Sequence, residues 1–339
     1  MAVLATTHPT MADLAKMIGP DGGMMEIAEV LHQANEVNEE AVWLPTNKTT
    51  SHMGLVRTGI PAPTWMKLNY GVAPTKGETA PIEDQTALLG AYHEVACELA
   101  DLYGDPNQFR MTEAHGIIEG FAQEFALNLF YGNEATNVEK FTGLAPRFNS
   151  LSASVPSSRN IVNAAGDDAG NNTSLWLVGW GPRSIHCIYP KNTKAGLSHE
   201  DRGRQTSENF GGTGLRMEIY RSYFSQKVGL HVRDWRYAVR VANIKTSTLN
   251  KDPTVAGADL HDLMALALNK VPNRSNARWA WYCNQTVMGY VHRQAQNKKN
   301  VQLSVAEIKD GAGMTTGHTV GGIPMRRVDQ IVNTEAVVS

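Results

Sequence analysis

The chain has 339 residues, of which 42% are hydrophobic and 19% are charged, and its formal net charge is −2. A chain of this length and balance can form two or three lobes with cores of their own, and it is too apolar to be intrinsically disordered. The near-neutral charge gives no global signature of a nucleic-acid-binding protein, although a protein that only encloses DNA would not need one.

Three cysteines, Cys97, Cys187 and Cys283, lie far apart and form no Cys-x-x-Cys pair. This pattern favours reduced thiols over a disulfide framework or a metal site. The N-terminus lacks the regions of a secretory signal, and no apolar run reaches the length of a transmembrane helix. We therefore expect a protein that is made and folded in a cytoplasm and does not enter a membrane.

Residues 1–40 are expected to form an N-terminal arm with two short helices. Thr10 can cap the first helix, and the glycine-rich run 19–23 ends it. In the second helix, Met24, Ile27 and Leu31 follow a helical period. A helix this short is not stable alone, so we expect its apolar stripe to contact a neighbouring lobe or another subunit.

Residues 41–88 are rich in proline and supply few side chains for a compact core. Loops of this length are uncommon in compact domains unless they have a function. A protruding hairpin that contacts other subunits would explain both the length and the exposed apolar residues. Candidate contact residues are Trp43, Ile60 and Trp65, as apolar anchors, and Arg57 and Lys67, as partners for acidic groups.

Two helices are predicted next, over residues 86–104 and 110–131. The second has apolar residues at three- and four-residue spacing, and Gly132 and Asn133 supply a C-terminal stop. At about 1.5 Å per residue it would span roughly 33 Å and form the backbone of one lobe.

The remainder is predicted to consist mostly of strands and turns. Core strands are predicted at 175–178, 185–189, around 237–241 and at 279–282, helices at 259–270 and 285–296, and further strands after Asn300. The last run, Gly322–Glu335, separates its apolar residues with polar ones. It predicts a partly buried strand with Pro324 at its start or on an edge.

An ordered set of segments resembles the major capsid proteins of tailed double-stranded DNA bacteriophages. The segments are Arg57–Pro61 with Trp65, Leu129–Asn133, Phe141–Arg147, Ser174–Val178, Ile188–Lys191 with Gly196–Leu197, Gly229–Asp234 and Gly322–Glu335. The similarity covers roughly residues 40–335, and the ordered set is more specific than any single segment.

The resemblance implies an α+β fold of the type shared by tailed-phage and herpesvirus capsid proteins. Residues 1–40 would be the N-terminal arm, 41–88 the extended β-hairpin loop, and 89–139 a peripheral lobe whose long spine helix is 110–131. Residues 140–290 would form an axial α/β lobe. Residues 291–339 would return to the peripheral lobe as C-terminal strands.

The resemblance also implies a structural function. The chain would self-assemble into hexamers and pentamers, through a procapsid, and form an icosahedral head that encloses double-stranded DNA without reading its sequence. Its partners would be further copies of itself, a portal protein and decoration proteins, with assembly in the cytoplasm of a bacterial host. Because the chain begins with a short arm, the expected assembly aid is a separate scaffolding protein.

No motif predicts catalysis, a cofactor or a metal. The run Asn209–Gly214 lacks the Lys-Ser/Thr of a phosphate loop, and the acidic turn at Asp167 and Asp168 lacks the spacing of a calcium loop. A phage tail or other structural subunit and a β-rich hydrolase are the alternatives. The hydrolase would need a pocket with convergent carboxylates. A covalent subunit link through Lys67 or Lys76 has the least support.

Overall fold

The computed structural model describes residues 33, 35–210, 215–253, 255–296, 306–308 and 317–339. In chain order, the helices and strands of the first half are β1 (Trp43–Pro45), β2 (Ser51–Gly59), β3 (Glu78–Ala96), α1 (Cys97–Tyr103), α2 (Pro106–Tyr131), β4 (Ile161–Asn163), β5 (Asn172–Trp180) and β6 (Ile185–Tyr189). They are followed by β7 (Leu197–Phe210), β8 (Leu215–Val232), β9 (Ala238–Lys245), α3 (Leu260–Asn269), β10 (Arg278–Cys283), α4 (Gln285–Ala295), β11 (Ala306–Ile308), β12 (Gly317–Val320) and β13 (Ile323–Arg327). The predicted arm helices, with Met24, Ile27 and Leu31, lie outside the described residues.

The chain divides into two compact units. The described part of the first unit consists mainly of Leu88–Phe125 and Lys194–Lys227, and the second unit is formed by Ala34–Ala87, Ala126–Thr193 and Val228–Ser339. Within the described part of the chain, no helix has the length and apolar character needed to cross a membrane. The predicted division into an arm, a loop and two lobes stays a prediction.

The second unit is built around β5, all nine residues of which are buried. β5 is antiparallel to β9 and to β10, and β10 continues in parallel with β13. A strand covered on both faces is expected to be apolar throughout, and the run Leu175–Val178 meets that requirement. The predicted core strand at this position is confirmed, as are those at 185–189 and 279–282.

The main core of the second unit lies where this sheet packs against α3 and α4. Its buried side chains include Leu175, Leu177, Val239, Val241, Met264, Val287, Val291, Trp281 and Met325. Each helix begins at a side-chain cap: Asp259 accepts hydrogen bonds from the N–H groups of His261 and Asp262, and Asn284 accepts one from Val287. Such caps satisfy backbone donors that a helix leaves free, which explains why both helices could be predicted.

Aromatic residues fill the other face of β5. Trp176 contacts Phe130 and Phe148, with a ring-centroid distance of 6.0 Å to each. Trp180 donates a hydrogen bond of 2.8 Å from its indole nitrogen to the hydroxyl of Tyr282. These large, completely buried side chains give the second unit a layer of core on each side of the central strand.

The first unit has a smaller core next to the hairpin formed by β7 and β8. These strands are antiparallel, with register from Leu197–Gln226 to Phe210–Leu215. Val95, Leu99, Ala100 and Phe109 form a buried cluster, against which Tyr220 of β8 packs.

The long predicted helix is confirmed as α2, but it begins four residues earlier than expected. Asp105 caps it, because its carboxylate accepts hydrogen bonds from the N–H groups of Asn107 (3.0 Å) and Gln108 (3.3 Å). Pro106 fits the first turn, where no N–H partner is needed. The helix spans about 39 Å at about 1.5 Å per residue.

The predicted helix over 86–104 is wrong for most of its length. β3 continues to Ala96, and only Cys97–Tyr103 are helical. Ala, Leu and Glu in this segment favour a helix. The burial of the side chains nevertheless alternates with period two from His93 to Cys97, as in a strand. Gly90, which has no side chain, allows a close approach to Tyr223. A Cβ atom at Gly90 would lie 2.8 Å from the Tyr223 hydroxyl oxygen. Tertiary pairing has overridden local preference here.

The C-terminal run forms a shorter strand than predicted. β13 covers Ile323–Arg327, with Pro324 near its start, and is followed by turns that bury Val328 and Ile331. The N–H of Val328 donates to the carbonyl of Cys283 (2.8 Å), which holds the chain at the end of β10. The alternating apolar residues beyond Arg327 therefore reflect a buried turn and not a continued strand.

Candidate assembly surface

The second unit contains a long β-hairpin, formed by β2 and the first part of β3. β2 is antiparallel to β3, with register from Ser51–Gln85 to Gly59–Glu78 and an irregularity between Arg57 and Gly59. Residues 60–77, here called the hairpin tip, contain no helix or strand. Several prolines restrict the backbone of this segment and remove N–H donors, which accounts for its extended, unpaired chain.

The root of the hairpin is fixed by Asp84, a buried residue of β3. Its carboxylate lies 2.7 Å from His231 Nδ1, accepts a hydrogen bond from the N–H of Val232 (3.2 Å), and forms an ion pair with Arg147 (2.7 Å). The contacts with His231 and Val232 connect the hairpin to β8, and the ion pair with Arg147 connects it to the segment between α2 and β4. A buried carboxylate with this many partners holds its strand in one position.

The electrostatics of Asp84 agree with this anchoring role. Burial acts to raise the pKa of Asp84, but the hydrogen bond to His231 and the charge of Arg147 outweigh it and hold the pKa below its ordinary value. The carboxylate is therefore ionised at neutral pH, when its ionic contacts are strongest.

Further contacts brace the same end of the hairpin. Lys48 pairs with Glu83 at 2.7 Å, and the N–H of Thr86 donates to the carbonyl of Thr50 at 3.0 Å. The backbone of β8 comes close at Gly229, where a Cβ atom would lie 2.6 Å from the carbonyl oxygen of Gln85. The root is thus closely packed, in contrast to the tip.

The hairpin tip carries a concentration of exposed apolar side chains. Trp65 is fully exposed and Leu68 is 93% exposed, while Ile60, Met66 and Tyr70 are also mostly in solvent. Monomeric proteins rarely leave so many large apolar side chains together in water, and such a patch marks a surface for another protein. The described residues offer an apolar surface on a firmly held support.

Some of the predicted contact residues lie within the hairpin tip and others lie outside it. Ile60, Trp65 and Lys67 are exposed within it. Trp43 is instead in β1, partly buried, with its backbone opposite Cys187 in the parallel pair with β6. The contact roles assigned to all of them stay predictions.

Arg57 lies on β2 and lines a cleft of about 510 Å³ in the second unit. Four further arginines line the same cleft: Arg159, Arg183, Arg233 and Arg236. Asp234 pairs with Arg236 at 2.7 Å, and no carboxylate of the described residues pairs with Arg57. Arg57 is therefore available to an acidic group from outside the chain.

Sequence reasoning missed two groups of residues. Met66, Leu68 and Tyr70 share the exposure of Trp65, and their place between prolines and glycines could have identified them. The second group is the histidine cluster His52, His186 and His231, whose possible ligand atoms all lie within 4.8 Å of one another. No sequence spacing joins these three residues, since they come from three separate strands.

A long hairpin with an exposed apolar tip, a long helix and a two-sided sheet together define the class of protein. The architecture is the tailed-phage major capsid protein fold. A similar fold is found in the capsid of bacteriophage JBD30, which is 8% identical, with 91% of this chain and 96% of that chain covered and a TM-score of 0.50.

The chain belongs to the family of major capsid protein GP7, whose model matches residues 19–339. It is also similar to a chain in the near-atomic structure of bacteriophage Epsilon15, with 30% identity, full coverage of both chains and a TM-score of 0.80. Among curated proteins, none matches. These findings confirm the resemblance found in the sequence: the chain is a major capsid protein and a structural subunit of a phage shell.

Proposed function

We propose that copies of this chain assemble as hexamers and pentamers into an icosahedral head that encloses double-stranded DNA. The observation that carries this proposal is the apolar hairpin tip on its fixed root, because a surface of that kind needs a partner and a shell supplies one to every subunit. Each interface can be modest, since closure of the shell satisfies all of them together.

The hairpin tip is proposed to lie over a neighbouring subunit, with Trp65 and Ile60 as apolar anchors. Large side chains that become fully desolvated usually dominate the binding energy of an interface. Arg57 and Lys67 would pair with acidic residues of the neighbour. The proposed arm contact of Met24, Ile27 and Leu31 rests on the helical period of the sequence alone.

The remaining partners are proposed from the family resemblance. They are a separate scaffolding protein, a portal protein and decoration proteins, which would meet the subunit in the cytoplasm of a bacterial host. The net charge of −2 suits a wall that faces packed DNA without gripping it. The role is structural, and no catalytic step is proposed.

Electron microscopy of the expressed chain, alone and together with a candidate scaffolding protein, tests the assembly. We expect closed regular shells, or capsomers arranged on icosahedral lattices, in at least one of the two conditions. Discrete small oligomers in both, without shells, tubes or sheets, would contradict the proposed assembly.

A further inference from the structure

Three histidines converge inside the second unit, close to the root of the hairpin. His52 comes from β2, His186 from β6 and His231 from β8. Their ring centroids are 4.5 Å apart for His52 and His231, 5.1 Å for His186 and His231, and 5.4 Å for His52 and His186. His186 and His231 are almost completely buried, and His52 is partly buried.

The cluster contains buried ring nitrogens that no group of the described chain satisfies. Both nitrogens of His186, Nε2 of His231 and Nδ1 of His52 have no hydrogen-bond partner among the described residues. A buried polar atom without a partner costs free energy, so native structures pair nearly all such atoms with protein, water or an ion. Each of the three rings therefore has at least one unpaired nitrogen to offer, and one nitrogen from each ring is the arrangement that a metal ion would complete.

His231 also has the supporting contact that metal-binding histidines usually show. Its Nδ1 lies 2.7 Å from the Asp84 carboxylate, a contact that holds the ring and leaves Nε2 as the nitrogen for the cluster. Glycine at position 54 leaves room there. A Cβ atom at Gly54 would lie only 2.9 Å from His231 Nε2.

A histidine binds a metal ion through its neutral imidazole ring. Imidazole is a preferred ligand of zinc, copper and nickel ions.

We propose that His52, His186 and His231 form a binding site for a divalent transition-metal ion, with zinc as the ion that suits it best. Tetrahedral zinc has Zn–N distances of about 2.0 Å, which places its ligand atoms roughly 3.3 Å apart. The three nitrogens, all within 4.8 Å of one another, reach that separation when the side chains draw together by about 1.5 Å or less. The positive charge of Arg233 favours an anion or a hydroxide as the fourth ligand.

A metal at this point would join the hairpin to the sheet of the second unit. β2 supplies one ligand, while β6 and β8, which are antiparallel to each other, supply the other two. Asp84 is a positioning residue for the site and also the main anchor of the hairpin root. The ion would therefore reinforce the same connection that Asp84 and Arg147 already make.

Cobalt binding by the full chain tests the proposal. The purified chain is stripped with a chelator and titrated with Co²⁺, whose visible absorption is intense only in tetrahedral sites. We expect one Co²⁺ per chain with tetrahedral bands that Zn²⁺ displaces in equal amount. Binding well below one ion per chain, or spectra typical only of hydrated cobalt, would overturn the proposal.

Two variants show whether the ion sits at this cluster. His52→Ala removes the least buried ligand and should lower the affinity by at least about tenfold, the lower limit seen when even an outer-shell partner is lost. His199→Ala removes an exposed histidine that stacks on Phe224 in the first unit and should bind as the parent does. Equal affinity of a folded His52→Ala variant and the parent, with folding checked by circular dichroism, would place the ion elsewhere and refute the site.

Discussion

Arg240 and Glu335 form an ion pair of 2.8 Å in which both side chains are about 5% exposed or less. The other polar atoms of the pair are satisfied as well. Arg240 donates to Ser174 Oγ (2.9 Å) and to the carbonyl of Phe148 (2.7 Å), and Glu335 accepts hydrogen bonds from the hydroxyls of Tyr131 and Ser174. A buried charge is tolerated only when it has partners. Here the partners lie in distant parts of the sequence, so the network connects the C-terminal segment to the centre of the second unit.

Glu335→Gln is expected to destabilise the protein strongly, because it leaves the Arg240 charge buried without a counter-charge. Breaking a buried pair by removing one partner costs about 3–5 kcal/mol. The free energy of unfolding can be measured by urea denaturation, with tryptophan fluorescence as the probe.

The matched control is Glu218→Gln, which removes one partner of the exposed pair with Arg204 at 3.2 Å. Solvent screens this pair, so its loss should leave the denaturation midpoint unchanged. Equal shifts for the two variants would show that burial does not determine the importance of the Arg240–Glu335 pair.

Gly179→Ala should destabilise the second unit through overpacking. Gly179 of β5 lies opposite Trp279 of β10, and a Cβ atom there would be 2.8 Å from the indole ring. The ring is not free to move, since its nitrogen donates to the carbonyl of Arg274 and its face stacks on Tyr237. Overpacking of this kind costs about 1–3 kcal/mol.

Gly289→Ala serves as the control for this substitution. Gly289 lies in α4, and beyond the neighbouring backbone of its own helix no atom of the described residues lies within 4 Å of where its Cβ atom would be. Alanine in a helix interior is more stable than glycine by about 0.5–1 kcal/mol. Thermal unfolding should thus move in opposite directions for the two variants, and a loss of stability in both would contradict the assigned clash.

Trp65→Ala should leave the subunit folded and reduce the yield of shells. The side chain is fully exposed, so its removal takes no contact from the subunit itself. The yield can be scored by electron microscopy and sedimentation. Val138→Ala, at an exposed position outside the hairpin, should give a normal yield. A normal yield from Trp65→Ala as well would refute the role of Trp65 as an anchor.

The three cysteines, all free and buried, should be unreactive in the native protein. Burial raises the pKa of Cys283 to about 12, with smaller effects from Glu36 and Asp329, and burial also raises the pKa of Cys187 and Cys97. A thiol reagent at mildly alkaline pH should label none of them until urea is added. Rapid labelling of the folded chain would contradict this.

The same raised pKa values predict how stability depends on pH in the alkaline range. Between pH 9.0, the ordinary value, and about 12, the unfolded chain releases the Cys283 proton while the folded chain retains it. The folded state then binds more protons, so the free energy of unfolding falls as the pH rises through this window. Cys283→Ala should reduce this slope.

Local signals in the sequence were sufficient for elements whose character does not depend on distant partners. The apolar run of β5 and the Asp259 cap of α3 belong to this group, and both elements were predicted. The strand from Leu88 to Ala96 could not be predicted in this way, because its residues favour a helix and only its surroundings in the fold select a strand. Glu335 and Arg240 are separated by 95 residues, and neither indicates the other.

The same distinction between local signals and distant partners explains why only the exposed hairpin tip was predicted and the histidine cluster was not. Proline spacing and apolar residues identify an exposed segment such as the hairpin tip. An exposed segment makes few contacts with the rest of the fold, so its own residues determine its conformation. The histidine cluster depends on the register of three strands, and a single shift of one residue would turn each side chain to the opposite face. Such a site becomes visible only when the strands are placed together.

The exposed hairpin tip also limits how a cell can handle this protein before assembly. Trp65, Leu68 and their neighbours offer the same apolar surface to any other protein with exposed apolar side chains, and uncovered surfaces of this kind promote aggregation. Unassembled subunits at high concentration would form non-productive aggregates. In the proposed assembly, the rate at which growing shells remove free subunits therefore matters as much to the yield of shells as the strength of any contact between subunits.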